Sequence, residues 1–190
     1  IVAYLKVLEN PADTVSLRRI INTPRRGIGD RAISCLAVFA EQQGISLWEA
    51  CCRAKEGVVP FLNSRAEKSI ASFVELMTDI QHHIAGRDHT AGEGSLPDLG
   101  EIVEMVIDRS GYRASLEGSN DPQDQSRLDN LKELVSVAHE FSADAASLRA
   151  LEESFDNSNA DGVSKETIDE GTEGLAEPGS LAAFLERVSL

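Results

Sequence analysis

Aromatic side chains are scarce in this chain, at 5% of 190 residues. Its core must therefore be aliphatic. Cysteines are few: Cys35, Cys51 and Cys52 form an odd set with no C-x-x-C spacing. That argues against a disulfide framework and against a zinc site. Each lies among apolar residues, so buried reduced thiols and a cytoplasmic setting are expected. No run approaches the roughly 18 apolar residues of a membrane span. No Gly-Lys pair occurs, which excludes a P-loop. His82, His83, His89 and His139 show no metal-ligand spacing and read as surface residues. No nucleophile–base pairing or carboxylate pair stands out, so catalytic residues are expected to be none, metal ligands none, and resident cofactors none. Convincing strand alternation is missing throughout.

Positive charge is the scarcest commodity. Lys and Arg total 18 against 32 Asp and Glu, for a net charge of −14. Taken as an average, that argues against nucleic acid. The distribution reverses the argument. Ser16 to Arg31 holds Arg18, Arg19, Arg25, Arg26 and Arg31 against Asp30 alone, a local net of +4. Glu140 to Glu177 holds eleven acids against Arg149 and Lys165, a local net of −9. A basic patch and an acidic segment coexist.

What is abundant is helical periodicity. Val2, Leu5 and Leu8 share one face, and Asn10-Pro11 ends the segment. Asp13 or Thr14 caps a second helix reaching about Asn22. Thr23 to Gly29 connects it to a third, for which Asp30 is the expected cap and Gly44 the C-terminal stop. Ser46 caps a short helix bearing Trp48, a core anchor. A long helix runs from about Asn63 to Ile84 on Ile70, Phe73, Val74, Met77 and Ile80. After a polar loop at 86–95, Leu99, Ile102, Val103, Val106 and Ile107 define another helix. Gly118 to Gln125 reads as a break, and Arg127 to Phe141 as a helix. Glu152 to Glu177 has few large apolar residues and reads as a flexible acidic insert. Leu181, Phe184, Leu185 and Val188 mark a last helix. The fold class is therefore all-α, an irregular multi-helix domain without significant sheet. The apolar patterns at Ile1 and Leu190 read as interrupted, as expected of a fragment of a longer chain.

The stretch Asn22-Thr23-Pro24-Arg25-Arg26-Gly27-Ile28-Gly29-Asp30 carries the chemistry. Gly27 to Ala32 formally matches G-x-G-x-x-A, but a dinucleotide fingerprint must follow a buried strand, and Leu17 to Ile21 is spaced as a helix. Two readings remain from spacing alone. In one, the glycines serve only a tight reversal between helices. In the other, free N–H groups at the next helix start, the helix dipole and the arginines grip phosphates without reading bases.

Residues Ala3 to Pro11 and Arg19 to Asp30 resemble the UvrD/PcrA/Rep family of superfamily-one DNA helicases. Asp108-Arg109-Ser110-Gly111-Tyr112 with Leu116, Arg127 to Leu134 and Ser180 to Val188 are similar to further segments of that family, in the same order. The resemblance implies domain 2B, a helical insertion in the second motor domain, 2A. It implies a partition into 1–12 as the junction with 2A, 13–151 as 2B, 152–178 as the acidic insert and 179–190 as the returning helix. The parent would be an ATP-dependent 3′–5′ helicase of DNA repair or replication, with ATP and Mg²⁺ in motor domains outside this chain. The fragment alone would be inactive. The family's "GIG" element contacts the duplex backbone, which carries over to Gly27, Ile28 and Gly29 with Thr23, Arg25, Arg26 and Arg31 beside them. Implied partners are duplex DNA, the parent's own motor domains and repair proteins, with no membrane. One departure is that Ile33 stands where a general helix-hairpin-helix carries a small residue. The rival reading is a protein-interaction module whose acidic segment recruits a partner or masks the basic patch.

Overall fold

A computed structural model describes residues 1–88, 98–158 and 176–188. Among the described residues there are nine helices and no strand, so the molecule is all-α as expected. They are α1 (Val2–Glu9), α2 (Thr14–Ile20), α3 (Asp30–Gln43), α4 (Leu47–Ala54), α5 (Ser64–Asp88), α6 (Leu99–Arg109), α7 (Tyr112–Glu117), α8 (Pro122–Ser158) and α9 (Leu181–Val188). None is long and apolar enough to cross a membrane.

The apolar faces read from the sequence meet in one aliphatic core. Leu5, Leu17, Ile21, Leu36, Ile70, Met77, Ile80 and Leu99 are all fully buried. Four of the aromatics sit at junctions. Trp48 meets Phe73 edge to face at 6.4 Å, and Phe141 meets Phe184 at 5.5 Å. Helix α1 packs on α2 and α9, α4 bridges α3 and α5, and α6 lies along α8. Burying such faces is the main source of helix stability in a globular protein.

Helix ends account for most differences from the sequence reading. Asp13 caps α2 through the Ser16 amide at 3.0 Å, and hydrogen bonding from the Ser16 hydroxyl and then its amide holds the carboxyl below the usual range. Ser46 and Glu49 form a reciprocal capping box on α4. Asp30, expected as a cap, is instead the first residue of α3. Gly29 occupies the cap position, in extended conformation and with no side chain to offer. The break expected at Gly118 to Gln125 is shorter, because Pro122 starts α8. Proline suits a first helical turn, and the Asp121 carboxylate accepts from the Gln123 amide at 2.9 Å. Helix α7 escaped the reading because it has six residues and buries only Leu116. Helix α8 also continues past Phe141 to Ser158, into the stretch read as an acidic insert. Residues 159–175 of that stretch lie outside the described residues, as do His89 and most of the 86–95 loop.

The seam between α6 and α8 is unusually close. The Leu99 amide donates to Ser142 Oγ at 2.8 Å, and Asp98 Oδ2 lies 2.9 Å from His139 Nδ1. Gly100 sits directly under the imidazole: a Cβ there would lie 2.3 Å from His139 Cγ. Gly100→Ala should therefore destabilise the protein by about 1–3 kcal/mol, the usual range for overpacking. Combining it with His139→Ala should recover part of that loss. Urea unfolding of the two single variants and the double variant measures the coupling.

Candidate nucleic-acid interface

The turn between α2 and α3 is built from the side chain of Asn22. Its Oδ1 accepts from the amides of Arg26 at 2.9 Å and Ile28 at 3.2 Å. Asparagine commonly folds a turn this way. The Thr23–Pro24 peptide is cis, and Gly27 has φ +82. Ile28 drops its side chain into the core with no exposure.

The two adjacent arginines part company here. Arg25 is exposed. Arg26 turns inward and spends its guanidinium on the protein. One terminal nitrogen donates to the carbonyls of Ile20 at 3.0 Å and Pro24 at 3.2 Å. The other donates to Tyr4 Oη at 2.5 Å and to the Ser110 carbonyl at 3.0 Å. Tyr4 passes the chain on, donating to the Thr23 carbonyl at 2.6 Å. The guanidinium carbon also lies 5.8 Å from the Tyr4 ring centre and 5.3 Å from that of Phe73. Arg26 therefore ties α1, the turn, α5 and the α6–α7 corner together. It is a structural cation rather than a surface one, which corrects its placement with the outward-facing arginines. Burial pushes the Tyr4 hydroxyl above its ordinary range, against the opposing charge and hydrogen bond of Arg26.

The residues that remain outward form a groove. Gly27, Gly29, Arg31, Ala32 and Cys35 line one side, and Phe61 to Ala66 include the other, around a volume of about 400 Å³. Two helix starts meet there. Helix α3 begins at Asp30, and the amides of Gly29, Asp30 and Arg31 have no acceptor among the described residues. Helix α5 begins at Ser64, where Asn63 Oδ1 accepts from the Ala66 amide at 2.8 Å. Arg31 and Arg65 are exposed and carry no ion pair among the described residues. Two helix starts and two cations meet in one groove, with Asp30 and Glu67 in the same first turns, an arrangement whose amides and guanidiniums suit an anion. Arg65 escaped the sequence reading because only the packing of α5 beside the turn brings it to Arg31.

The two glycines have different status. Gly27 needs its positive φ. Gly29 has φ −84, and a Cβ there would meet no protein atom within 4 Å. The fold does not demand a glycine at position 29. Thr23 is exposed at the turn, whereas Ile28 can offer the groove no side chain. Gly27 to Ala32 follows helix α2 rather than a strand, which removes the dinucleotide reading.

No three His, Cys, Asp or Glu side chains among the described residues converge as a metal site. The thiols are free, and Cys51 is pushed up to about 12 by burial.

An all-helical domain with a glycine-flanked basic corner is the class these observations define. A family model described as the UvrD-like helicase C-terminal domain matches residues 1–190, and the chain belongs to that family. It is 50% identical over 190 residues to the ATP-dependent DNA helicase UvrD1 of Mycobacterium tuberculosis, covering 100% of this chain and 21% of that protein. The UvrD1 of Mycobacterium leprae is 48% identical over the same length. The ATP-dependent DNA helicase PcrA of Leuconostoc citreum is 30% identical over 141 residues, covering 74% of this chain and 17% of that protein. The chain spans about a fifth of the length of the curated relatives it matches.

Replacing Arg26 should cost stability rather than surface charge. Arg26→Ala should destabilise by about 2 kcal/mol, as expected when a partly buried hydrogen-bond network to a charged group is broken. Arg26→Lys should recover little of this, because an ammonium lacks the planar fork that reaches four acceptors. Equilibrium denaturation tests both. The raised Tyr4 value has an alkaline consequence. Its neutral form is favoured by folding, so this contribution is fully present below about pH 10 and is lost as pH rises through the higher folded value. Spectrophotometric titration should show one of the chain's two tyrosines ionising late in the folded state and normally in denaturant.

Proposed function

We propose that this chain is the 2B domain of an ATP-dependent 3′–5′ DNA helicase acting in repair or replication. In this reading it grips the duplex backbone near the fork, regulates unwinding and hydrolyses nothing by itself. ATP and Mg²⁺ belong to motor domains elsewhere in the parent, and the compartment is the cytoplasm. The single observation that carries the reading is the groove at the Gly27–Gly29 turn. There, free amides and the cations Arg31 and Arg65 meet a glycine that the fold itself does not require. A phosphate approaching the backbone at Gly29 explains that glycine. The names of the relatives, DNA helicases all, support duplex DNA as the anion. Such contacts fix position without reading sequence. Arg25, exposed on the same turn, and Thr23 extend the set, while Arg26 and Ile28 hold its shape.

The two glycines separate fold from function. Gly27→Ala should destabilise by about 1 kcal/mol, since alanine resists a positive φ. Gly29→Thr, whose side chain is about as good a helix cap as glycine, should leave the melting temperature nearly unchanged yet weaken blunt-duplex binding by the full-length protein about tenfold. Replacing Arg25, Arg31 and Arg65 together with Ala should weaken binding for all duplex sequences alike. It should also reduce the salt slope by about 0.9 for each phosphate that is no longer neutralised. Filter binding or fluorescence anisotropy across a salt series reads both. Wild-type binding by the triple variant would remove the duplex-contact reading.

A further inference from the structure

Between α4 and α5 the chain makes a tight turn at Pro60-Phe61 that is anchored on both sides. Val59 is buried at 4% exposure and Leu62 packs against the core. The turn's backbone is thus held. Phe61 nevertheless points away, and at 88% exposure it is the most exposed large apolar side chain among the described residues. Its φ is +64, and among the described residues it is the only non-glycine in the left-handed region. A proline followed by a residue of positive φ is a turn that ordinarily gives its second place to glycine. Here the place goes to a benzyl side chain, against both backbone strain and solvation. Strain kept at one residue by a rigid surround is a marker of function rather than of folding.

The location says what the ring is for. Phe61 stands on the rim of the groove that holds Gly29, Arg31, Asn63 and Arg65. It has cations and free helix-start amides beside it, and at 88% exposure its ring stands clear of the protein surface. Those groups take phosphates. They leave unsatisfied the apolar parts of the same ligand, which are deoxyribose and base edges. From this we infer that Phe61 is a nucleic-acid-contacting side chain, laying its ring on sugar and base edges of the duplex whose phosphates the groove holds. The inference rests on the duplex reading of the groove. A phenyl ring offers no hydrogen bond, so the contact adds affinity without base preference. It also displaces no counterion, so its share of binding is independent of salt.

Phe61→Gly provides the discriminating variant, because glycine suits the backbone better than phenylalanine does. In the full-length protein it should melt no lower than wild type. It should weaken binding to a blunt duplex about tenfold at every salt concentration, leaving the slope of log K against log salt unchanged. Arg31→Ala with Arg65→Ala should do the opposite and reduce that slope. If Phe61→Gly binds the duplex like wild type while the arginine pair weakens it, the groove stands and the role of Phe61 is overturned. If the arginine pair binds like wild type, the groove reading itself fails. A change of slope on Phe61→Gly alone, or a lower melting temperature that Phe61→Leu restores, would assign the ring to shaping the turn and would also overturn the inference.

Discussion

The guanidinium of Arg26 is the constraint on which the rest of this structure depends. It is a charge partly withdrawn from solvent, and its withdrawal is tolerated because four acceptors and two aromatic faces replace much of its water. Three of those acceptors are backbone carbonyls at segment ends: Ile20 at the close of α2, Pro24 within the turn, and Ser110 after α6. Carbonyls at helix ends have no partner within their own helix. One side chain thus joins carbonyls from segments far apart in sequence, sharing the Ile20 oxygen with the Thr23 amide. Tyr4 is the companion residue, receiving from Arg26 and donating to Thr23. The pair locks the base of the turn, and the outward edge of the turn is then free to serve something else.

That division gives the corner a rigid root and a solvated rim. Asn22, Arg26 and Ile28 form the root. Arg25, Gly29, Arg31 and Arg65 form the rim. A phosphate site gains from such preorganisation, since donors fixed before binding lose little freedom on binding. It also reconciles a chain of net charge −14 with the anionic ligand proposed for it. What matters to a polyanion within a Debye length of about 8–10 Å is the local field, and the helix starts reinforce the local cations there.

The helices were legible because their apolar residues recur at three and four, as at Ile70, Phe73, Val74 and Met77. Capping was legible where the residue itself supplies an oxygen, as Asp13 and Ser46 do. Asp30 misled because a good capping residue sat one place inside a helix already started by Gly29. The turn was legible as a basic, glycine-flanked corner. Which of two adjacent arginines faces inward was not, because adjacency carries no direction. The direction is set by Tyr4, Phe73 and Ser110, all distant in sequence. Arg65 and Phe61 were invisible for the same reason. Their meaning arises only when α5 and its preceding turn are placed beside the start of α3.

Helix α8 carries a mechanical consequence. Its 37 residues make a rod of about 55 Å at 1.5 Å per residue. Its first half is seated against α6 and α7, but from Ala143 to Leu151 only Ala145 is buried, and Leu148 and Leu151 stand more than half exposed. A rod clamped over its first half and largely exposed from Ala143 to Leu151 converts angle into distance. From His139 to Ser158 the rod is about 29 Å long, so a rotation of about 5° at the clamp would carry the far end through about 2.5 Å. The clamp is the His139–Gly100 seam, so the stiffness of one glycine's neighbourhood sets how faithfully the whole rod follows the body.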